Sequence, residues 1–153
     1  MSDQVSLYAV LFADLENYSA HVSQDEGGTL EFMERCFELA EEECTAAGGE
    51  LIKKTGDGFV MLFRAATSAI RFSLAMHRRI AEKEEGGPRR LRIGIHLGEV
   101  RRDRDDIYGH SVNIAARLEA LAEPGTTLVS QPVYREARQH NVCGFVSKGV
   151  PVL

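Results

Sequence analysis

No apolar run in the chain approaches the ~20 residues that a helical membrane span requires, so the sequence predicts no membrane contact by this domain. Its start, Met1-Ser2-Asp3-Gln4-Val5, has neither the basic residues nor the apolar stretch of a secretory signal, and a cytoplasmic location is the expectation. Cysteine is scarce: Cys36, Cys44 and Cys143 are an odd set with no Cys-x-x-Cys pair. That excludes a disulfide framework and, with no histidine cluster, a zinc site. Basic residues are outnumbered by acidic ones, and the net charge of −5 argues against a general nucleic-acid binder. It leaves room for an anionic ligand held through metal ions. Repeats, low-complexity tracts and interdomain linkers are also missing, so residues 1–153 read as a single domain.

What is present is the composition of a globular protein, 44% hydrophobic and 27% charged. Val5 to Ala13 is nearly continuously apolar and predicts a central strand buried on both faces. A long helix follows from about Gln24 to Ala47, with Leu30, Met33, Phe37 and Ala40 as its apolar stripe and Gly48-Gly49 as its stop. Leu51-Ile52 and Phe59 to Phe63 flank Thr55-Gly56-Asp57-Gly58, a tight hairpin in which glycine supplies a positive φ. Ala65 to about Lys83 forms the next helix, with Ile70, Leu74, His77 and Ile80 on one face. Leu91 to Val100 alternates as a strand with one core face. After a charged loop or hairpin, Ser111 to about Ala122 is helical with an Ile114, Leu118 and Leu121 stripe. A short strand (126–129), a short helix (132–139) and, from Phe145, a strand pair cut short complete the chain. Strand, helix, hairpin, helix, strand is the split βαβ, ferredoxin-like α+β pattern, here with a C-terminal α/β extension.

In that topology the first and third strands are antiparallel neighbours, so Asp14 and Asp57 meet at one edge of the sheet. Singly, they read as a helix N-cap and a turn former. Together they form a carboxylate pair able to hold Mg²⁺ and leave positions open for phosphate oxygens. Asn113 and Arg117 lie four apart on one helical face. They are either a solvated edge with Arg117 paired to a carboxylate, or an amide and an arginine aimed at a nucleotide. Lys53 and Asp106 are a surface lysine and a loop acid, or a donor and an acceptor that read a purine edge. His96 has no evident partner, and Arg101, Arg102 and Arg104 form a local basic patch.

Four ordered motifs carry a resemblance. They are Phe12-Ala13-Asp14-Leu15-Glu16-Asn17-Tyr18-Ser19, Ile52-Lys53-Lys54-Thr55-Gly56-Asp57-Gly58, Arg92 to Val100, and Asp105 to Glu119 with Asn113-Ile114-Ala115-Ala116-Arg117. From about Leu7 to the C-terminus the chain resembles the class III nucleotidyl cyclase catalytic domain in its compact bacterial form, most like an adenylyl cyclase. The resemblance implies metal sites at Asp14, Leu15 and Asp57, with two Mg²⁺ or Mn²⁺ ions. It implies that Lys53 and Asp106 select adenine, where guanylyl cyclases usually carry Glu and Cys. It further implies that Asn113 orients the ribose and that Arg117 stabilises the transition state. A head-to-tail homodimer would place the aspartates of one subunit against the Lys, Asp, Asn and Arg of the other. The implied reaction is ATP to 3′,5′-cyclic AMP and pyrophosphate; the alternatives are a non-catalytic nucleotide-binding or dimerisation module and a guanylyl cyclase. No Gly-Gly-Asp-Glu-Phe motif points to a diguanylate cyclase. Family members continue past the position of Leu153 with a Lys-Gly segment and a last strand, so a C-terminal truncation is expected.

Overall fold

The computed structural model describes residues 4–85 and 87–148. Its centre is the strand β1 (Gln4–Leu15), flanked by antiparallel partners β3 (Gly58–Phe63) and β4 (Leu91–Asp103). β2 (Glu50–Lys54) extends the sheet beyond β3, and β5 (Asp106–Tyr108) folds back on the end of β4. The order is β2-β3-β1-β4-β5, with the short β6 (Thr127–Val129) parallel to β4. The first four strands of the chain reproduce the ferredoxin-like order that the element sequence predicts.

Strand alternation sorts the core into two layers. Ala9, Leu11, Ala13 and Leu15 face α2 (Glu26–Ala47), α3 (Ala66–Glu84) and α5 (Gln131–Arg138). Tyr8 and Val10 face the other side with Val60, Leu62, Val100 and Ile107, where α4 (His110–Leu121) contributes Ala115. Burial on both faces therefore holds for the middle of β1 but not for its start. Val5 and Leu7 share the face of Ala9, yet are 58% and 57% exposed, because the helical layer stops short of them.

The helical stripes are rotated from their expected positions. In α2 the buried set is Thr29, Phe32, Met33, Cys36, Leu39, Ala40 and Cys44, while Leu30 is half exposed. In α3, Phe72 and Met76 are buried and Leu74 is out. Phe72 packs against the rings of Phe59 and Phe63 on β3, which decides the face. A short helix, α1 (Tyr18–Gln24), follows Asn17, which has φ 57. It buries no residue, so no apolar period could announce it. Gly48 caps α2 with φ 72 as expected. Cys36 and Cys44 are buried free thiols, and burial pushes Cys36 up to about 12. Residues 142–148 form no strand, and the remainder of the strand pair expected from Phe145 lies outside the described residues. Among the described residues no helix is long and apolar enough to cross a membrane.

His77 on α3 has Nε2 2.9 Å from Thr127 Oγ1, and burial lowers its pKa from the usual 6.5 to about 4. The unfolded chain therefore takes up this proton well before the folded one does. Stability is expected to be full above about pH 6.5 and to fall as the pH drops toward about 4. Thermal melts across that window check this, and His77→Gln should flatten the curve there. An equally steep fall in the variant would assign the slope to another group.

Candidate functional site

The β1–β3 register sets the site. Asp14 at the end of β1 lies opposite Gly58, the first residue of β3. The Leu15 amide donates to the Asp57 carbonyl at 2.8 Å, so the turn is bolted to the end of β1 by a main-chain bond. Neither Gly56 nor Gly58 lies in the left-handed region, contrary to the expectation of a positive φ in this turn. Gly58 is needed for another reason: a Cβ there would strike the Ala13 carbonyl and Asp14 Cα. The absent side chain is what lets the two aspartate-bearing segments touch. Thr55 Oγ1 donates to Asp57 Oδ1 at 3.1 Å, and the Thr55 amide donates to the Gly58 carbonyl at 2.8 Å.

On its other side Asp14 lies opposite Arg92 of β4. Arg92 Nε and Nη2 donate to the two carboxylate oxygens at 2.9 and 2.8 Å, a bidentate fork. Nη1 donates to the Ala120 carbonyl at 3.2 Å, and Nη2 lies 3.8 Å from Glu119 Oε1. The hydrogen bonds to Asp14 come first in holding the guanidinium above its ordinary pKa. Burial, and then the charge of Asp14, push the Glu119 carboxyl well above the usual carboxylate range. Neither Arg92 nor Glu119 stood out in the sequence. The signal was there, since the alternation of β4 and its antiparallel pairing to β1 put residue 92 beside residue 14.

Glu119 reaches this point because α4 rests directly on β4. A Cβ at Gly94 would collide with the Glu119 amide and the Ala115 carbonyl, so the helix sits at a distance only glycine permits. Its inward face carries Ser111 and Ala115, small enough for that approach, with Leu118 buried beside them. Leu121, expected in the stripe, is 53% exposed. Arg117 stands two residues before Glu119, roughly 200° around the helix. With Glu119 turned toward Asp14, Arg117 and its same-face neighbour Asn113 are turned away, and both are exposed. Among the described residues Arg117 has no ion-pair partner, so the alternative of a structural pairing to a carboxylate is not what is seen.

Lys53 and Asp106, distant in sequence, are brought together. Lys53 Nζ lies 3.3 and 3.4 Å from the two Asp106 oxygens. The Ile107 amide donates to Asp106 Oδ1 at 2.8 Å, and this bond, ahead of Lys53, keeps the carboxyl below its ordinary range. β2 carries an irregularity between Leu51 and Lys53 that re-aims the strand at this point. Of the other sequence candidates, His96 finds a partner after all, the Ser130 hydroxyl at 2.8 Å from Nδ1. Arg102 is tied to Glu50 at 2.8 Å and lies over the Tyr8 ring, and Arg101 lies over Tyr108. The basic patch is thus largely spent inside the fold.

The donor set at Asp14 and Asp57 is all oxygen: two carboxylates and the Leu15 main-chain carbonyl between them in the chain. Hard divalent ions such as Mg²⁺ and Mn²⁺ take such donors. Among the described residues no three or more His, Cys, Asp or Glu side chains are grouped so as to hold a metal ion by themselves. Two carboxylates with open positions suit an ion that must also bind a phosphate, so the residues present fit the metals the resemblance implies.

A family model described as the adenylate and guanylate cyclase catalytic domain matches residues 2–149. A putative adenylate cyclase 3 of Rhizobium meliloti is 32% identical over 148 residues, which cover 94% of this chain and 25% of the relative. An adenylate cyclase of Glutamicibacter nicotianae is 36% identical over 121 residues, 78% of this chain and 30% of the relative. The chain therefore spans about a quarter to a third of the length of these relatives. Among solved structures, an adenylate/guanylate cyclase/hydrolase from Silicibacter pomeroyi superimposes with a TM-score of 0.88 at 33% identity, covering 97% of this chain and 89% of that one. The adenylyl cyclase CyaB from P. aeruginosa gives 0.78 at 22% identity, over 91% and 84% of the two chains, a likeness of fold.

Proposed function

Because the chain belongs to the adenylate and guanylate cyclase catalytic domain family, we propose that it converts ATP to 3′,5′-cyclic AMP and pyrophosphate at sites shared by a head-to-tail homodimer. The observation that carries this reading is the division of α4. Glu119 turns toward Asp14, while Asn113 and Arg117 point to solvent on the other side of the helix. Within one chain the aspartates and the arginine cannot face a common substrate. Two chains related by a two-fold axis, each offering one set to the other, make two complete sites.

In this reading Asp14 and Asp57, with the Leu15 carbonyl, hold two divalent ions. When bound, such ions acidify the ribose 3′-hydroxyl and neutralise the triphosphate, which removes the need for an amino-acid general base. Asn113 orients the ribose so that its 3′-oxygen lies in line with the α-phosphorus. Arg117, exposed and without an internal partner, meets the charge that grows as the bond to pyrophosphate breaks. Lys53 and Asp106 supply a donor beside an acceptor. Adenine offers an acceptor ring nitrogen and a donor amine in matching positions, whereas guanine presents a carbonyl and an N–H in the opposite sense.

Cyclic nucleotide formation from ATP and from GTP, with Mg²⁺ or Mn²⁺ and over a range of protein concentrations, tests the proposal. ATP is expected to be preferred by about tenfold or more in kcat/KM. Specific activity should rise with protein concentration until the dimer saturates. Silence on both nucleotides in a protein shown to be dimeric would favour a non-catalytic nucleotide-binding module, and a GTP preference would reverse the assignment of Lys53 and Asp106.

A further inference from the structure

The best-made polar contact in the candidate site joins two groups of the same chain, and it occupies the carboxylate assigned to a metal. Both oxygens of Asp14 accept from the Arg92 fork at 2.9 and 2.8 Å. The side chains of Asp14, Arg92 and Glu119 are 17%, 18% and 12% exposed, so water screens them little. Asp14 and Arg92 are register partners on adjacent strands, and their main chains cannot separate without breaking the sheet. Any release of Asp14 must come from side-chain rotation, of the aspartate or, with more reach, of the arginine.

The surroundings provide for that rotation. Nη1 is already bonded to the Ala120 carbonyl, and Nη2 lies 3.8 Å from Glu119 Oε1, too long for a hydrogen bond but within reach of a small torsional change. A guanidinium that left Asp14 would still have the Ala120 carbonyl and the Glu119 carboxyl oxygens to accept from it. A divalent cation and a guanidinium repel each other and both draw on the single charge of Asp14, so each weakens the hold of the other on that carboxylate.

We propose that Arg92 is an internal counter-ion that closes Asp14 in the unliganded protein, and that Glu119 is the second acceptor that receives it when a metal ion takes its place. Arg92 and Glu119 are thus positioning residues for the metal centre, and the inference rests on the reading of Asp14 and Asp57 as metal ligands. It has a quantitative consequence. The apparent metal affinity is the intrinsic affinity multiplied by the fraction of molecules in which Asp14 is open. If the fork is closed in about nine molecules of ten, opening it strengthens metal binding about tenfold.

The test is titration of the nucleotide-free protein with Mn²⁺, free Mn²⁺ being read by electron paramagnetic resonance. Asp57→Asn is the control for the site itself and is expected to weaken binding. Arg92→Lys is the deciding variant. It keeps the positive charge but loses the planar fork, so it should bind Mn²⁺ several-fold more tightly than the parent, by up to about tenfold. A mere charge effect would leave the lysine variant unchanged and strengthen only Arg92→Met. Glu119→Gln removes the second acceptor. It should weaken Mn²⁺ binding when Arg92 is present, and by clearly less in the Arg92→Met background. Circular dichroism establishes that each variant is folded, and if Arg92→Met is not, the lysine variant carries the comparison. Unchanged or weaker Mn²⁺ binding by folded Arg92→Lys, with Asp57→Asn still impaired, would overturn the counter-ion inference alone. Mn²⁺ binding that is indifferent to Asp57→Asn would overturn the metal-site reading and the inference with it.

Discussion

Replacing Asp57 by asparagine is expected to reduce cyclic AMP formation about a thousandfold, equivalent to about 4 kcal/mol of transition-state stabilisation, while the protein remains folded. The separation of the two effects follows from how Asp57 is built into the molecule. Its main-chain carbonyl accepts from the Leu15 amide and locks the turn to β1, and this bond survives any side-chain change. Its carboxylate meets only the Thr55 hydroxyl among the hydrogen bonds of the described residues, and an amide oxygen can accept that bond equally well. What asparagine lacks is the charge. A divalent ion bound by one full carboxylate instead of two is held less tightly and is less well placed against a triphosphate. Steady-state kinetics at saturating Mn²⁺, beside a thermal melt, make the comparison. A variant that keeps its melting temperature and its turnover would remove Asp57 from the chemistry. Asp14→Asn is the less informative change, because it would also strip Arg92 of a bidentate partner in a poorly screened environment, a structural loss in its own right.

The second large effect concerns Arg117. Its guanidinium is exposed and has no ion-pair partner among the described residues, so truncation to alanine should cost the isolated fold almost nothing. If it meets developing charge, Arg117→Ala should lower kcat by about a hundredfold to a thousandfold and leave KM much less changed. The composite site makes a sharper expectation. Arg117→Ala and Asp57→Asn, each inactive as a homodimer, should recover activity when mixed. Random exchange puts half of the dimers in mixed form, and each of these holds one intact site and one doubly damaged site, so about a quarter of the parent activity should return. Were both residues to act within one chain, mixing would restore nothing. This experiment needs no assumption about affinity, only that the subunits exchange, which a tagged pull-down of the mixture verifies.

How far the sequence reached can be seen element by element. Apart from α1 and the strand pair expected from Phe145, the strand and helix order was legible, as were the hairpin holding Asp57 and the glycine stop of α2, because periodicity and turn chemistry are local properties of the chain. Antiparallel pairing of the first and third strands followed from that order. That pairing puts Asp14 beside the Asp57 turn. Local signals were weaker for helix faces. Leu30, Leu74 and Leu121 read as core residues and are exposed, since several apolar residues compete for each stripe and only the partner surface chooses among them. For α2 and α3 that partner includes the Phe59, Phe63 and Phe72 cluster; for α4 it is a stretch of β4 where Gly94 lets the helix backbone come close. α1 left no trace because it buries nothing.

Residue types and their spacing along the chain were thus decided by the sequence itself: the two aspartates, the Asn113 and Arg117 pair, the Lys53 and Asp106 candidates. Tertiary structure alone decided who touches whom. It joined Lys53 to Asp106 across 53 positions of sequence and gave His96 a hydroxyl partner. It also placed Arg92 on Asp14 with Glu119 behind it. The physical reason is that hydrogen bonding and charge pairing act over a few ångströms of space, and the chain approaches itself at those points only after the sheet has paired and α4 has settled onto Gly94.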